Sequence, residues 1–131
     1  METFLKLLFQ NIDPGTHYYV RLCTDASVVD ADNIGSESAY GGYVPGGLAV
    51  ERSVNGFTVA GSVAKNAAIL TYTQCASGSE KIRYAELWKN DTDSVLADRL
   101  DWCQLANDID VAVGGIPSID IDQLTFTLNK T

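Results

Sequence analysis

Lys81–Lys89 (KIRYAELWK) and Ser94–Cys103 (SVLADRLDWC) are separated by Asn90-Asp91-Thr92-Asp93, four polar turn formers in a row. Two runs of that length around such a cluster predict an antiparallel hairpin. Its first arm is expected to place Ile82, Tyr84 and Trp88 on one face, and its second to place Leu96, Leu100 and Trp102 on one face. Those faces would form the centre of a sheet core, aromatic pairs adding about 0.5–1.5 kcal/mol beyond their area burial.

Working outward, the same rhythm of short apolar runs and turn residues extends in both directions. Upstream, Asn55-Gly56 signals a tight turn into Phe57–Ala60, Gly61 marks a bend before Ser62–Lys65, and Ala67–Thr73 reads as a strand with Ala68, Leu70 and Tyr72 on one side. Thr16–Thr24 (THYYVRLCT) alternates, with Tyr18, Val20 and Leu22 opposite Tyr19, Arg21 and Cys23. Ala39 to Gly47 is broken by glycines and Pro45, which cannot donate to a ladder, so it reads as an edge or a bulged lead-in to Leu48–Ser53. Downstream, Ile109, Val111 and Val113 alternate with polar or small residues. Gly114-Gly115-Ile116-Pro117 turns the chain, and Ser118–Leu128 closes it with Leu124, Phe126 and Leu128 on one face.

Only the beginning departs from this pattern. Phe4, Leu7 and Leu8 sit at i, i+3 and i+4, the spacing of a short amphipathic helix over residues 1–12, stopped by Asp13-Pro14-Gly15. A helix of about ten residues is marginal alone, so it must dock, on its own sheet or on a neighbouring subunit. The stretch METFLKLLFQ carries Glu2 and Lys6 and lacks a small-residue cleavage site, so it is read as mature chain rather than signal peptide. The fold class predicted is therefore all-β: one antiparallel β-sandwich or jelly-roll domain over 1–131, with about seven to nine strands and a short N-terminal helix.

Charge and composition exclude several functions. The net charge is −8, and from Asn90 to Asp122 eight aspartates face one base, Arg99. Such a surface repels phosphate backbones, so no nucleic-acid partner is expected. No apolar run approaches the roughly 20 residues that span a bilayer, so no membrane partner is expected. Cys23, Cys75 and Cys103 form no C-x-x-C pair and read as reduced, partly buried thiols.

Catalytic signatures are missing. His17 is the single histidine and no G-x-S-x-G stands elsewhere, so a histidine-dependent triad has no parts. Gly41-Gly42 and Gly46-Gly47 lack the Lys-Ser/Thr of a phosphate loop. Carboxylates are too abundant for any pair to point to a glycosidase. Asp30-Ala31-Asp32-Asn33-Ile34-Gly35 opens like a calcium loop but has Ile34 at a ligand position and Gly41 where a bidentate Glu belongs. The pairs Asp91/Asp93, Asp108/Asp110 and Asp120/Asp122 offer loop ligands at best. No metal, cofactor or enzymatic activity is expected. A sugar platform built on Tyr40, Tyr43 and Trp88 is the alternative binding function.

In its order of elements the chain resembles small bacteriophage virion proteins of the tail-fibre-like kind. The resemblance runs through THYYVRLCT, GGYVPGGLAVE, VAKNAAILTYT, RYAELWKNDTDSVLADRL and VAVGGIPSIDIDQLTFTL. It departs at Pro45-Gly46-Gly47, where such proteins continue with a basic residue. The resemblance implies a non-enzymatic β-sandwich assembled on the particle surface, made in the host cytoplasm and located in the virion. A domain of this size has a radius of gyration near 14 Å and no shaft, which favours a capsid decoration or cement knob over a fibre. A tail-fibre-like or fibre-base adaptor and a host-receptor or glycan-binding module are the alternatives. The expected partners are itself, as a trimer, and the major capsid protein. The expected contacts are Phe4, Leu7, Leu8, Tyr43, Val44 and Pro45.

Overall fold

The computed structural model describes residues 16–127, and these are nearly all β with antiparallel pairing throughout. The elements are β1 (His17–Thr24), β2 (Leu48–Glu51), β3 (Phe57–Ala60), β4 (Val63–Asn66), β5 (Leu70–Thr71), β6 (Glu80–Trp88), a 3-10 turn (Leu96–Asp98), β7 (Arg99–Val111), β8 (Ser118–Ile119) and β9 (Thr125–Thr127). They form a four-stranded sheet in the order β2-β1-β6-β7, a three-stranded sheet β3-β4-β9 and a two-stranded sheet β5-β8. The expected helix over residues 1–12, and Leu128, lie outside the described residues.

β1 alternates as its sequence requires, and its two faces meet different surroundings. Val20 and Leu22 join Ala85 and Leu87 of β6 and Leu100, Cys103 and Leu105 of β7 in the main core. Leu70, Ile119, Leu124 and Phe126 complete that core, so it draws on all three sheets. Each such aliphatic side chain contributes about 1.5–3 kcal/mol when fully buried. Three tyrosine rings close one part of the core: Tyr40 meets Tyr43 edge-on at 5.6 Å, and Tyr43 stacks on Tyr72 at 6.4 Å.

The hairpin expected to organise the fold is present as β6–β7, with two corrections. Register shifts between Ile82 and Tyr84 and between Leu87 and Trp88 interrupt the alternation. They send Ile82 into the main core while Tyr84 packs with Cys23, Val29 and Trp102 on the other face. Leu100 and Trp102 are separated in the same way. The connection is also longer than four residues. Ser94 to Asp98 belong to it, Leu96 is exposed, and the loop is closed where the Lys89 amide donates to the Asp98 carbonyl at 3.1 Å.

The closing strand is likewise divided. Ser118–Ile119 and Thr125–Thr127 belong to different sheets, with Asp122 between them at φ 66°. The fully buried Asn66 side chain is bonded to both sides of the break. Its amide donates to the Asp120 carbonyl at 2.8 Å and its oxygen accepts from the Leu124 amide at 3.0 Å, which holds that turn against β4. Leu124 and Phe126 are buried as expected.

Candidate functional site

Three charged side chains are buried on the second face of the four-stranded sheet. Arg21 on β1 is paired with Glu86 on β6, and Arg99 begins β7. Register places Arg21 and Cys23 beside Glu86 and Tyr84, so alternation alone turns a charged pair inward once loops cover that face.

Glu86 is saturated. Its Oε1 accepts from the Cys23 thiol and from Trp88 Nε1, both at 3.3 Å. Its Oε2 accepts from the Gly35 amide at 3.0 Å and from Arg99 Nη1 at 2.8 Å. Arg99 also donates to the carbonyls of Asn33, through Nη1, and Asp30, through Nη2. Burial, and then the neighbouring Glu86 carboxylate, push the Cys23 thiol far above its ordinary range. That thiol is a hydrogen-bond donor, not a nucleophile.

Arg21 works on a different loop. Its guanidinium lies 3.9 Å from the centre of the Trp88 ring. It donates to the carbonyls of Gly46, Asn90 and Asp93 and to the Ser94 hydroxyl, at 3.2, 3.1, 2.7 and 3.3 Å. A planar fork stacked on a ring can serve four acceptors in this way, whereas an ammonium cannot. The two arginines thus tie down the loops 25–38 and 89–98. Among the described residues no buried side-chain nitrogen or oxygen lacks a partner.

The Tyr40–Gly47 segment is anchored from the same network. Glu37 Oε2 accepts from the Tyr43 hydroxyl at 2.7 Å and from the Gly46 amide at 2.9 Å, while the Gly46 carbonyl accepts from Arg21. Gly46 has φ +97°, and a Cβ there would stand 2.5 Å from the Asp91 carbonyl oxygen, so the turn requires glycine. Between these anchors Val44 is 57% exposed and Pro45 is exposed.

The sugar platform does not exist as a surface. Trp88 is 0% exposed beneath Arg21, and Tyr40 and Tyr43 are buried in the core. Tyr43 also cannot serve as a partner contact, since its hydroxyl is bonded inside the subunit; burial and the adjacent Glu37 carboxylate raise its pKa far above the usual phenol range. Val44 and Pro45 remain at the surface. Phe4, Leu7 and Leu8 lie outside the described residues.

The acidic pairs are dispersed. Asp108 meets Arg83 at 3.1 Å, and this hydrogen bond holds its carboxyl below the usual range. Asp30 is lowered first by the Asn33 side chain, which it binds through both oxygens, and then by the Asp32 amide. Among the described residues no three His, Cys, Asp or Glu side chains come together as a metal site would need. His17 is exposed, its Nδ1 2.9 Å from the Thr16 hydroxyl. The three cysteines are free and buried.

Among the described residues a cavity lies between the β3–β4 hairpin and the four-stranded sheet. It is a half-open groove of about 550 Å³, floored by Tyr18, Phe57, Val63, Leu87, Leu100 and Phe126. Arg52, Ser53 and Asp101 stand at its margin. Tyr18 and Phe57 meet edge-on at 6.0 Å in its wall.

Sequence reasoning passed over Arg21, Glu86 and Arg99 because a charged residue in a strand normally faces solvent. The signal was present in the alternation, which put Arg21 on the same face as Tyr19 and Cys23. No protein-family model matches the chain, and no curated protein sequence matches it. Among the described residues no helix is long and apolar enough to cross a membrane.

Proposed function

We propose that this chain is a structural subunit of a bacteriophage particle, a β-sandwich knob that decorates the capsid surface and stabilises the coat lattice. In this reading the four-stranded sheet forms one layer and the two smaller sheets the other, with the shared core between them. The subunit self-associates as a trimer, makes its principal contact with the major capsid protein, and performs no reaction. Support comes from the resemblance in turn residues and alternation to small phage virion proteins.

The observation that carries the proposal is the Val44–Pro45 turn. An apolar pair stands at the surface while the residues around it are held by Glu37, Arg21 and the tyrosine stack. A loop ordered before it meets a partner loses little entropy on docking, which is what a permanent lattice contact needs. Other exposed apolar residues, Val95, Val113 and Ile116, also sit on loops rather than in a cleft. A stable contact would bury about 800 Å² on each partner, more than one turn supplies, so several of these loops would have to share it.

The test is Val44→Asp combined with Pro45→Ser in the infecting genome. The isolated protein should melt as the wild type does, because neither side chain is buried, while its copy number on purified particles should fall at least tenfold. Wild-type occupancy would overturn the assignment of this turn.

A further inference from the structure

Asn55-Gly56 ends the turn that leads from β2 into β3, and the Asn55 side chain is exposed there. Glycine follows it, so no Cβ screens the next backbone nitrogen from the side-chain amide. Ser53 ties the turn. Its hydroxyl accepts from the Asn55 backbone amide at 3.1 Å, and its carbonyl accepts from the Gly56 and Phe57 amides at 3.1 and 3.0 Å. The Asn55 side-chain amide reaches back to Glu51 Oε2 at 3.3 Å. The other described asparagines are shielded. Asn66 is fully buried and bonded through both its nitrogen and its oxygen. Asn90 donates to Asp93 and Asp98 and accepts from the Thr92 and Asp93 amides. Asn33 binds both oxygens of Asp30 and precedes the β-branched Ile34. Asn107 is exposed, but it lies in the extended β7 and precedes Asp108, which Arg83 holds at 3.1 Å.

We propose that Asn55 is a site of spontaneous covalent modification, at which the turn converts its own side-chain amide to an acid with water as co-reactant. The Gly56 backbone nitrogen bonds to Cγ of Asn55. Its proton ends on Nδ2, which leaves as ammonia when the bond to Cγ breaks. Water then adds to either carbonyl of the cyclic imide, opening it to aspartate or to isoaspartate, whose backbone runs through Cγ. Nothing is oxidised or reduced. Attack requires the Gly56 nitrogen to leave the Ser53 carbonyl, so the frequency with which this exposed turn opens sets the rate. Either product disturbs the turn. A carboxylate replaces a donor in front of Glu51. Isoaspartate also adds a methylene to the backbone beside Gly56, which is buried where a Cβ would overlap the Glu51 carbonyl oxygen. The Gly56 carbonyl accepts from the Ala67 amide at 2.9 Å, so the junction of β3 and β4 is what loosens. The reaction belongs to the subunit alone, and it stands whether or not the subunit sits on a particle.

Peptide mapping by mass spectrometry tests it on the full chain, aged in neutral buffer well below its melting transition. The peptide containing Asn55 should gain the mass of an acid over an amide and split into aspartate and isoaspartate forms. It should do so several-fold faster than any peptide containing Asn33, Asn66, Asn90 or Asn107. An intact Asn55, or one converting no faster than these, would overturn the assignment. Ser53→Ala tests the gate separately. It removes the hydroxyl that accepts from Asn55 and lets the turn open more often, so conversion should run several-fold faster than in wild type while the melting temperature stays nearly the same. An unchanged rate would overturn the role given to the Ser53 turn.

Discussion

Glu86 and Arg99 meet at 2.8 Å with side chains only 1% and 3% exposed; Glu86 also accepts from Cys23, Trp88 and the Gly35 amide, and Arg99 also donates to the carbonyls of Asn33 and Asp30. Such a pair need not outperform an apolar replacement in stability, because both charges must leave water. Its use here is geometric: Arg99 holds Asp30 and Asn33, and Glu86 holds Gly35, so one ion pair defines the path of the loop over the sheet.

Arg99→Met should therefore be severe. It leaves the Glu86 carboxylate buried without its counter-charge, a change that costs about 3–5 kcal/mol. Denaturant melts would read the loss. Amide exchange at Gly35 should accelerate together with it, and a cost below about 1 kcal/mol would show that the pair is not confined in the folded protein.

How much of this was legible beforehand varies by element. β1 could be read with its correct faces because its pairing with β6 keeps register from Tyr19 to Cys23, shifting only at Thr24, and the β6–β7 pairing followed from the turn cluster at Asn90–Asp93. The faces of β6 could not be read, since bulges at Ile82/Tyr84 and Leu87/Trp88 depend on the partner strand. The split of the last strand depends on Asn66, some fifty residues earlier, and no local pattern reports it. Residue pattern offers Trp88 to the core face of the hairpin and, as the alternative, to a surface platform. What decides its burial is Arg21 lying across it, a contact between strands that composition does not reveal.

Arg21→Lys should cost about 2 kcal/mol although charge is retained. An ammonium cannot reach Gly46, Asn90, Asp93 and Ser94 together, and each charged hydrogen bond lost from a covered site is worth about 1.5–3 kcal/mol, part of which water recovers. Thermal melts would show the loss, and proteolysis within Asn90–Ser94 should become detectable. A variant with the wild-type melting temperature would contradict the role given to the stacked guanidinium.

Trp88→Ala should unfold or nearly unfold the domain, with a loss of about 3–5 kcal/mol, because it empties a fully buried site and removes the surface on which Arg21 rests. A variant that melts normally and loses only affinity for a surface polysaccharide would restore the sugar-platform reading.

Alkaline pH should destabilise the fold. The unfolded Cys23 thiol loses its proton near pH 8.5 while the folded one keeps it, so the folded state binds the extra proton and stability declines as pH rises. The slope for this one group is about 1.4 kcal/mol per pH unit above that point, and it steepens above about pH 10 as the unfolded counterparts of Tyr43 and Tyr72, also raised by burial, ionise. Urea midpoints from pH 7 to 10.5 would trace this. A flat profile would contradict it, as would rapid reaction of Cys23 with a thiol reagent in the native protein.

The most direct measurement of the proposal that this chain decorates a phage capsid is an electron cryomicroscopy map of phage particles assembled with the subunit carrying a small C-terminal tag. The proposal predicts repeated trimeric knobs on the capsid at fixed lattice positions, with Val44 and Pro45 facing the coat. Particles bearing no copy of the protein, or copies confined to the tail, would contradict it.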